Sequence, residues 1–331
     1  MNAIYSLLIV ALLLILVVGS AGLGAFPTLF GVVIPYAAFA LFAVGFVYKI
    51  LHWASVPVPF RIPTTSGQQK SLPWIKSSYF DNPHNTLGVI GRMALEVLFF
   101  RSLFSNSRSE LRPGLRLTYA ESKWLWAGAM VFHWSFLVIL LRHFRFFVEP
   151  VPRFVHILQF FDGFWQIGVP IFYASGAALI AGAGYLLLRR LAIPQIRYIS
   201  LPADYFPLFL ILGIAGSGVS MRYLTKVDLI AVKELTMGLM SFQPAAVGGI
   251  GMVFYIHLFF VCALIAYFPF SKLMHLGGIF LSPTRNMANT NRMQRHINPW
   301  NNPVKGHTYE EYEDEFRDLM KGAGLPLEKE K

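Results

Sequence analysis

Four histidines stand inside apolar sequence: His133 in Phe132-His133-Trp134, His143 in Arg142-His143-Phe144, His257 in Tyr255-Ile256-His257 and His275 in Met274-His275-Leu276. An ionisable side chain within a membrane segment is costly and rare, and its default reading is functional. Neutral imidazole ligates haem iron, and a bis-imidazole iron keeps no open position, which suits electron transfer better than oxygen chemistry. The first two histidines are ten residues apart and the second two eighteen. At 3.6 residues per turn, eighteen residues make whole turns, so His257 and His275 share a face of an unbroken helix, while ten leave His133 and His143 about 80° apart. Two antiparallel helices bearing two imidazoles each can stack two metal centres across a bilayer, so these residues predict axial ligation of two b haems. Any one histidine alone also fits a buried polar group bonded to a neighbouring helix. His52, His84, His296 and His307 fall at span ends or in polar loops and are given no chemistry.

The elements that must hold these residues are membrane spans. The 331 residues are 55% hydrophobic and 14% charged, against roughly 25% charged in soluble domains. The fold class expected is an all-α integral membrane protein. Stretches near 4–24, 29–51, 120–146, 163–188, 204–222 and 246–270 each reach the length of about 20 apolar residues needed to cross a bilayer, which makes six transmembrane helices. The first lacks a preceding Lys or Arg and is read as a retained span rather than a signal peptide. The net charge of +11 is explained by basic loops between spans under the positive-inside rule, not by nucleic acid. A single cysteine, Cys262, excludes an intrachain disulfide and an iron–sulfur cluster held by this chain alone.

Orientation follows from the loops. The 52–119 segment is rich in Lys and Arg and is expected in the cytoplasm, with Arg189, Arg190, Arg197 and the tail on the same side. Both termini are then cytoplasmic, and the 147–162 and 223–245 connections face outward. Residues 85–104 are apolar enough to tempt a seventh span, but Arg92, Glu96 and Arg101 would each cost about 2.5–3.5 kcal/mol at mid-bilayer. An amphipathic helix lying in the cytoplasmic interface, capped by Asn85 or Thr86, is expected instead. The chain thus divides into two N-terminal helices (1–51), the basic loop with its interfacial helix (52–119), a four-helix dihaem core (120–280) and a tail (281–331).

In this topology His143 and His257 lie near the outer surface and His133 and His275 near the inner one, so the pairs are His143 with His257 and His133 with His275. Ten residues rise about 15 Å and eighteen about 27 Å, so a break or tilt at Pro269 or at Gly277-Gly278 is needed for both pairs to form. Arg142 and Arg145 bracket His143 and can neutralise haem propionates, or else snorkel to headgroups. His156, Gln159 and Asp162 set base, amide and acid groups near the outer interface, where they can exchange protons with a quinol or simply solvate a loop. In the tail, Asn298 to Pro303 reads as turns, and 308–320 reads as a short acidic helix with a Thr308/Glu311 capping box. Its stripe of Tyr309, Tyr312, Phe316, Leu319 and Met320 belongs either to a solvated tail or to a surface that docks on a partner.

The ten- and eighteen-residue histidine spacings resemble the dihaem cytochrome b gamma subunit of respiratory nitrate reductases over about 120–280, with an extra N-terminal span. That family pairs outer with outer histidine, which implies His143 with His257 and His133 with His275. Its quinol-binding lysine has no counterpart between Asp162 and Leu188. The stretches Trp74 to Tyr79, Thr86 to Phe104, Phe132-His133-Trp134 and Asn298 to Tyr312 resemble the DsrM family, the membrane cytochromes b of sulfite-reduction-associated DsrMKJOP complexes. The resemblance implies a prokaryotic cytoplasmic membrane and exchange of electrons with menaquinone near the outer haem. It also implies transfer through the inner haem to a cytoplasmic iron–sulfur subunit resembling heterodisulfide reductase (DsrK-like), in an assembly with a multihaem cytochrome c and further membrane and iron–sulfur subunits. A quinol-linked cytochrome b of heterodisulfide-reductase or nitrate-reductase type is the neighbouring alternative. From other classes, an ion or proton transporter predicts internal repeats, which the halves lack, and a bare membrane anchor leaves His133 and His257 without purpose.

Overall fold

The computed structural model describes residues 1–56, 70, 74–104, 108–114, 116–120, 122–168, 170–244, 249–289 and 306–329. The Asn298–Pro303 turns therefore lie outside the described residues. Among the described residues, five helices are long and apolar enough to cross a membrane: α1 (Asn2–Gly19), α2 (Phe26–Ala54), α4 (Lys123–Phe147), α7 (Pro202–Thr225) and α9, whose apolar run is Met252–Phe270. Pro27 opens α2 at a position where a missing N–H costs nothing, and a π-turn at Leu29–Val33 carries it into the main helix. Leu8, Leu12 and Ile15 of α1 are 58–64% exposed, a belt that water would penalise and lipid would not. The chain is a multi-pass membrane protein.

The segment expected to span at 163–188 differs in its first half. Helix α5 (Arg153–Asp162) ends at Gly163, and Gln166 and Gly168 take positive φ ahead of Pro170. That run cannot continue a helix. The helix α6 starts only at Ala174 and runs to Ala192, with Arg189 and Arg190 in its last turn. It packs along α4, where a Cβ on Gly182 would sit 3.0 Å from the backbone of Phe132. This close approach holds the His133 turn of α4 against its neighbour.

The 85–104 segment forms α3 (Thr86–Phe99), capped by Asn85, whose side chain accepts from the Gly88 N–H at 2.8 Å. Its 14 residues fall short of the roughly 20 that a span needs. Its charges are not displayed to an interface as expected: Arg92 is 1% and Glu96 7% exposed. Four residues apart, they lie on one helix face. Both turn into the protein beneath the 81–83 turn and the 285–289 segment, where Asn289 donates to Pro83 and Asn82. Between α3 and α4 the basic loop forms a two-stranded antiparallel hairpin, β1 (Arg108–Arg112) with β2 (Arg116–Ala120), Arg112 opposite Arg116.

Helix α8 (Leu229–Met240) follows α7, capped by Asp228. It joins α1, α2 and α9 in one apolar cluster around Phe30, Leu235 and Phe254. A second cluster, around Val10, Leu179, Leu210 and Phe260, binds α1, α6, α7 and α9 at mid-bundle. Polar pins fix the N-terminal helices to it: Ser6 donates to Pro202 O at 2.8 Å and Tyr36 to Leu239 O at 3.0 Å.

Past Tyr267 the chain leaves the α-helix. A 3-10 turn at Phe268–Phe270, an extended Ser271 and a second 3-10 turn at Lys272–Met274 precede α10 (His275–Leu281). Pro269 cannot donate to the helix ladder, which ends it. The kinked segment is seated on α2, where a Cβ at Gly45 would meet Pro269 Cβ at 2.8 Å. The tail helix α11 (Tyr309–Gly322) carries the expected capping box, Thr308 Oγ1 accepting from Glu311 N and Glu311 accepting from Thr308 N. The chain then folds back so that Glu313 accepts from the amides of Glu328 and Lys329.

Candidate haem and quinol sites

The four histidines meet as two pairs. His143 of α4 faces His257 of α9 with ring centroids 6.4 Å apart and planes within 10° of parallel. His133 of α4 faces His275 of α10 with centroids 6.0 Å apart and planes at 85°. Both pairs form although the two spacings differ, and the chain leaves the α-helix at Pro269–Ser271, between His257 and His275. Among the described residues no three metal-binding side chains converge, so the imidazoles stand two by two.

Each ring is turned by a backbone carbonyl. The Nδ1 atoms of His133, His143 and His275 lie 2.8, 2.7 and 2.8 Å from the carbonyls of Ala129, Ile139 and Lys272, and that of His257 lies 3.0 Å from Ile214 O. A carbonyl only accepts, so Nδ1 carries the proton and Nε2 keeps its lone pair. This second contact sets both tautomer and ring direction, as it does for metal-bound histidines generally. Two imidazoles bonded through nitrogen at about 2.0–2.1 Å to one metal place their ring centres roughly 6 Å apart. The donor set and spacing therefore fit an iron bound on both faces of a porphyrin.

At the His143 end, Arg142 forms an ion pair with Asp162, their side chains 14% and 6% exposed. Asp162 also accepts from Ser175 N at 2.7 Å and Ser175 Oγ at 2.6 Å. The Arg142 guanidinium lies 3.4 Å over the Tyr173 ring, and that of Arg222 lies 4.1 Å from the same ring. Arg222 also donates to Ile171 O at 2.8 Å. Arg142 Nε and Gln159 Nε2 are buried without a hydrogen-bond partner. Gln159 and Asp162 are partly buried at the bundle end, whereas His156 is exposed. Arg145 lies 5.6 Å from the Phe146 ring and makes no ion pair with a described residue. Tyr173, Ser175 and Arg222 are not evident from the sequence because they come from the start of α6 and the end of α7, distant in order from Arg142. The only available signal was Arg222, a lone charge closing an apolar span.

Comparison with known proteins gives two findings. The model of the nitrate reductase gamma subunit family matches residues 117–295. The chain is 48% identical over 279 residues to the "Hdr-like menaquinol oxidoreductase cytochrome b-like subunit" of Archaeoglobus fulgidus, covering 82% of this chain and 83% of that one. The protein of the same name from Archaeoglobus profundus is 40% identical over 274 residues, 81% of each chain.

Proposed function

We propose, because this chain belongs to the nitrate reductase gamma subunit family, that it is a quinol-linked dihaem cytochrome b of a multisubunit respiratory complex. The observation that carries the reading is the pair of opposed imidazole couples, each ring with its Nδ1 held by a carbonyl, which leaves the Nε2 lone pair free to ligate. His143 with His257 are assigned to an outer haem b and His133 with His275 to an inner one. Bound there, the haems supply two one-electron carriers about 15 Å apart along α4.

The protein's own part is to hold and to deprotonate. His133, His143 and His257 are partly buried in the bundle and His275 is exposed, and the carbonyl bonds keep each imidazole in one orientation. Menaquinol is assigned to the outer end, its identity taken from the name shared by the two Archaeoglobus relatives. There Asp162 and Gln159 are the candidate groups to receive and relay the hydroxyl protons, with His156 on the exposed side. Asp162 is held in place by Arg142 and by the amide and hydroxyl of Ser175. Arg142 and Arg145 remain the candidates for the outer propionates.

Electrons are assigned to leave from the inner haem to a cytoplasmic iron–sulfur subunit resembling heterodisulfide reductase, both termini of this chain lying on that side. With quinol protons released outside, each charge moved across the membrane is worth about 2.3 kcal/mol per 100 mV. The finer reading, a DsrM-type subunit serving dissimilatory sulfur metabolism beside a multihaem cytochrome c, rests on the local motifs near Trp74–Tyr79, Thr86–Phe104 and the tail. Reduced-minus-oxidised spectra of purified protein test the proposal: two low-spin b-type signals that menaquinol reduces are expected, and their absence refutes it.

A further inference from the structure

Helix α3 holds a buried cationic site apart from the outer end of the bundle. Arg92 is 1% exposed, yet its Nε and Nη1 have no hydrogen-bond partner. The carboxylates near it are already engaged. Asp81 pairs with Arg101 at 2.9 Å and accepts from Ser78 at 2.8 Å. Glu96 accepts from Ser102 N and Oγ and lies 3.9 Å from Arg285. The charged or titratable groups around Arg92, with His84 in the facing loop, comprise three guanidiniums and two carboxylates among the described residues. One positive charge is left over in a place where buried charge is ordinarily paired. Desolvation, and then Arg285, push the Arg92 guanidinium below its ordinary pKa, the strain expected of a cation missing its anion.

The same site is tied to both ligands of the inner pair. α3 ends in Phe100, whose ring meets the His133 ring at 4.9 Å. Trp134, the next residue of α4, donates to Leu98 O at 3.1 Å. Arg285 arrives on the segment that follows His275 and α10. The helix packed against His133 and the segment that follows His275 thus each bring one arginine to the same spot. Eight residues of helix separate Arg92 from Phe100, about 12 Å along the axis, which is the scale of a porphyrin with its side chains.

Resting on the dihaem reading, we propose that Arg92, backed by Arg285, binds a propionate carboxylate of the haem held by His133 and His275. The planar guanidinium offers Nε and one Nη in the fork that a carboxylate takes bidentately. Arg92 here is a cofactor-binding residue that also raises the inner haem's potential, since a nearby positive charge favours the ferrous state.

The test is a spectroelectrochemical titration of the holoprotein in nanodiscs, for wild type, Arg92→Gln, Arg92→Lys and Arg285→Gln. Arg92→Gln should lower the inner midpoint potential, leave the outer one in place, and give the inner haem a pH dependence, because its propionate is no longer held ionised. Reconstitution with the haem dimethyl ester should abolish that pH dependence, and Arg92→Lys, which keeps the charge without the fork, should hold the inner potential above that of Arg92→Gln. If Arg92→Gln loses the inner haem, the partly exposed Arg285→Gln carries the same comparison. An unmoved inner potential, an equal shift of both haems, or a shift seen only in nanodiscs of anionic phospholipid overturns the assignment, the last in favour of a headgroup phosphate. Absence of any b-type spectrum from the wild type would instead sink the dihaem reading itself.

Discussion

Gly45 offers a perturbation far in sequence from any histidine that should act on one haem only. A Cβ at Gly45 would lie 2.8 Å from Pro269 Cβ and 3.0 Å from its Cγ. Ordinary carbon contacts are about 3.5–4.0 Å, so a leucine there drives the Pro269 segment back by roughly 1 Å. The proline ring has no rotamer with which to yield. His275 follows six residues later, across the 3-10 turns that place it opposite His133. Overpacking of this kind costs about 1–3 kcal/mol. If the cost falls on the inner pairing, inner-haem retention weakens about 5- to 150-fold, at 1.4 kcal/mol per tenfold. Haem-to-protein ratio by pyridine haemochrome, with a redox titration at limiting haem, should show Gly45→Leu losing the inner signal while the His143–His257 signal survives. A variant with two haems at the wild-type ratio and an unchanged inner potential would refute the claim that the Pro269 break, seated on α2, positions His275.

Three further outcomes are expected. Imidazole planes within 10° of parallel at one iron and at 85° at the other split the iron dπ orbitals strongly and weakly, so the ferric protein should give one rhombic and one large-g low-spin EPR signal; two identical spectra would contradict the ring geometry. Asp162→Asn leaves Arg142 as an unpaired buried cation, a loss of about 3–5 kcal/mol when one partner of a buried pair is removed, and should lower thermal stability and slow reduction by a menaquinol analogue in stopped flow, with the inner haem spectrum intact. The backbone amide of Glu328, with that of Lys329 and the Arg317 guanidinium, holds the Glu313 carboxyl below its ordinary pKa. The fold-back it secures is therefore fully present above about pH 4.3 and is lost as pH falls through the lower folded value. Amide exchange at residues 328 and 329 should rise in acid, and at neutral pH in Glu313→Gln.

Much of this arrangement is legible in the sequence where one local rule decides. The Asn85 cap and the Thr308/Glu311 box depend on side chains three residues from the amide they serve, so reading in order suffices. The conflict between ten and eighteen residues in the histidine spacings called for a break near Pro269, and the chain leaves the α-helix there. What sequence order hides is what distant segments bring together. Arg92 and Glu96 look like the polar side of an interfacial helix until the 81–83 turn and the 285–289 segment cover them. Tyr173 just precedes α6 and Arg222 lies at the end of α7, and only the bundle end brings Arg142 and Arg222 onto the Tyr173 ring. The start of α6 at Ala174 follows from Gln166, Gly168 and Pro170, three turn-formers that a hydropathy sum averages away.

Iron positions from anomalous diffraction at the iron edge test the central claim most directly. Two irons are predicted, each at bonding distance from two Nε2 atoms, one between His143 and His257 and one between His133 and His275, about 15 Å apart along α4. A single iron, or irons remote from these four imidazoles, would contradict the account.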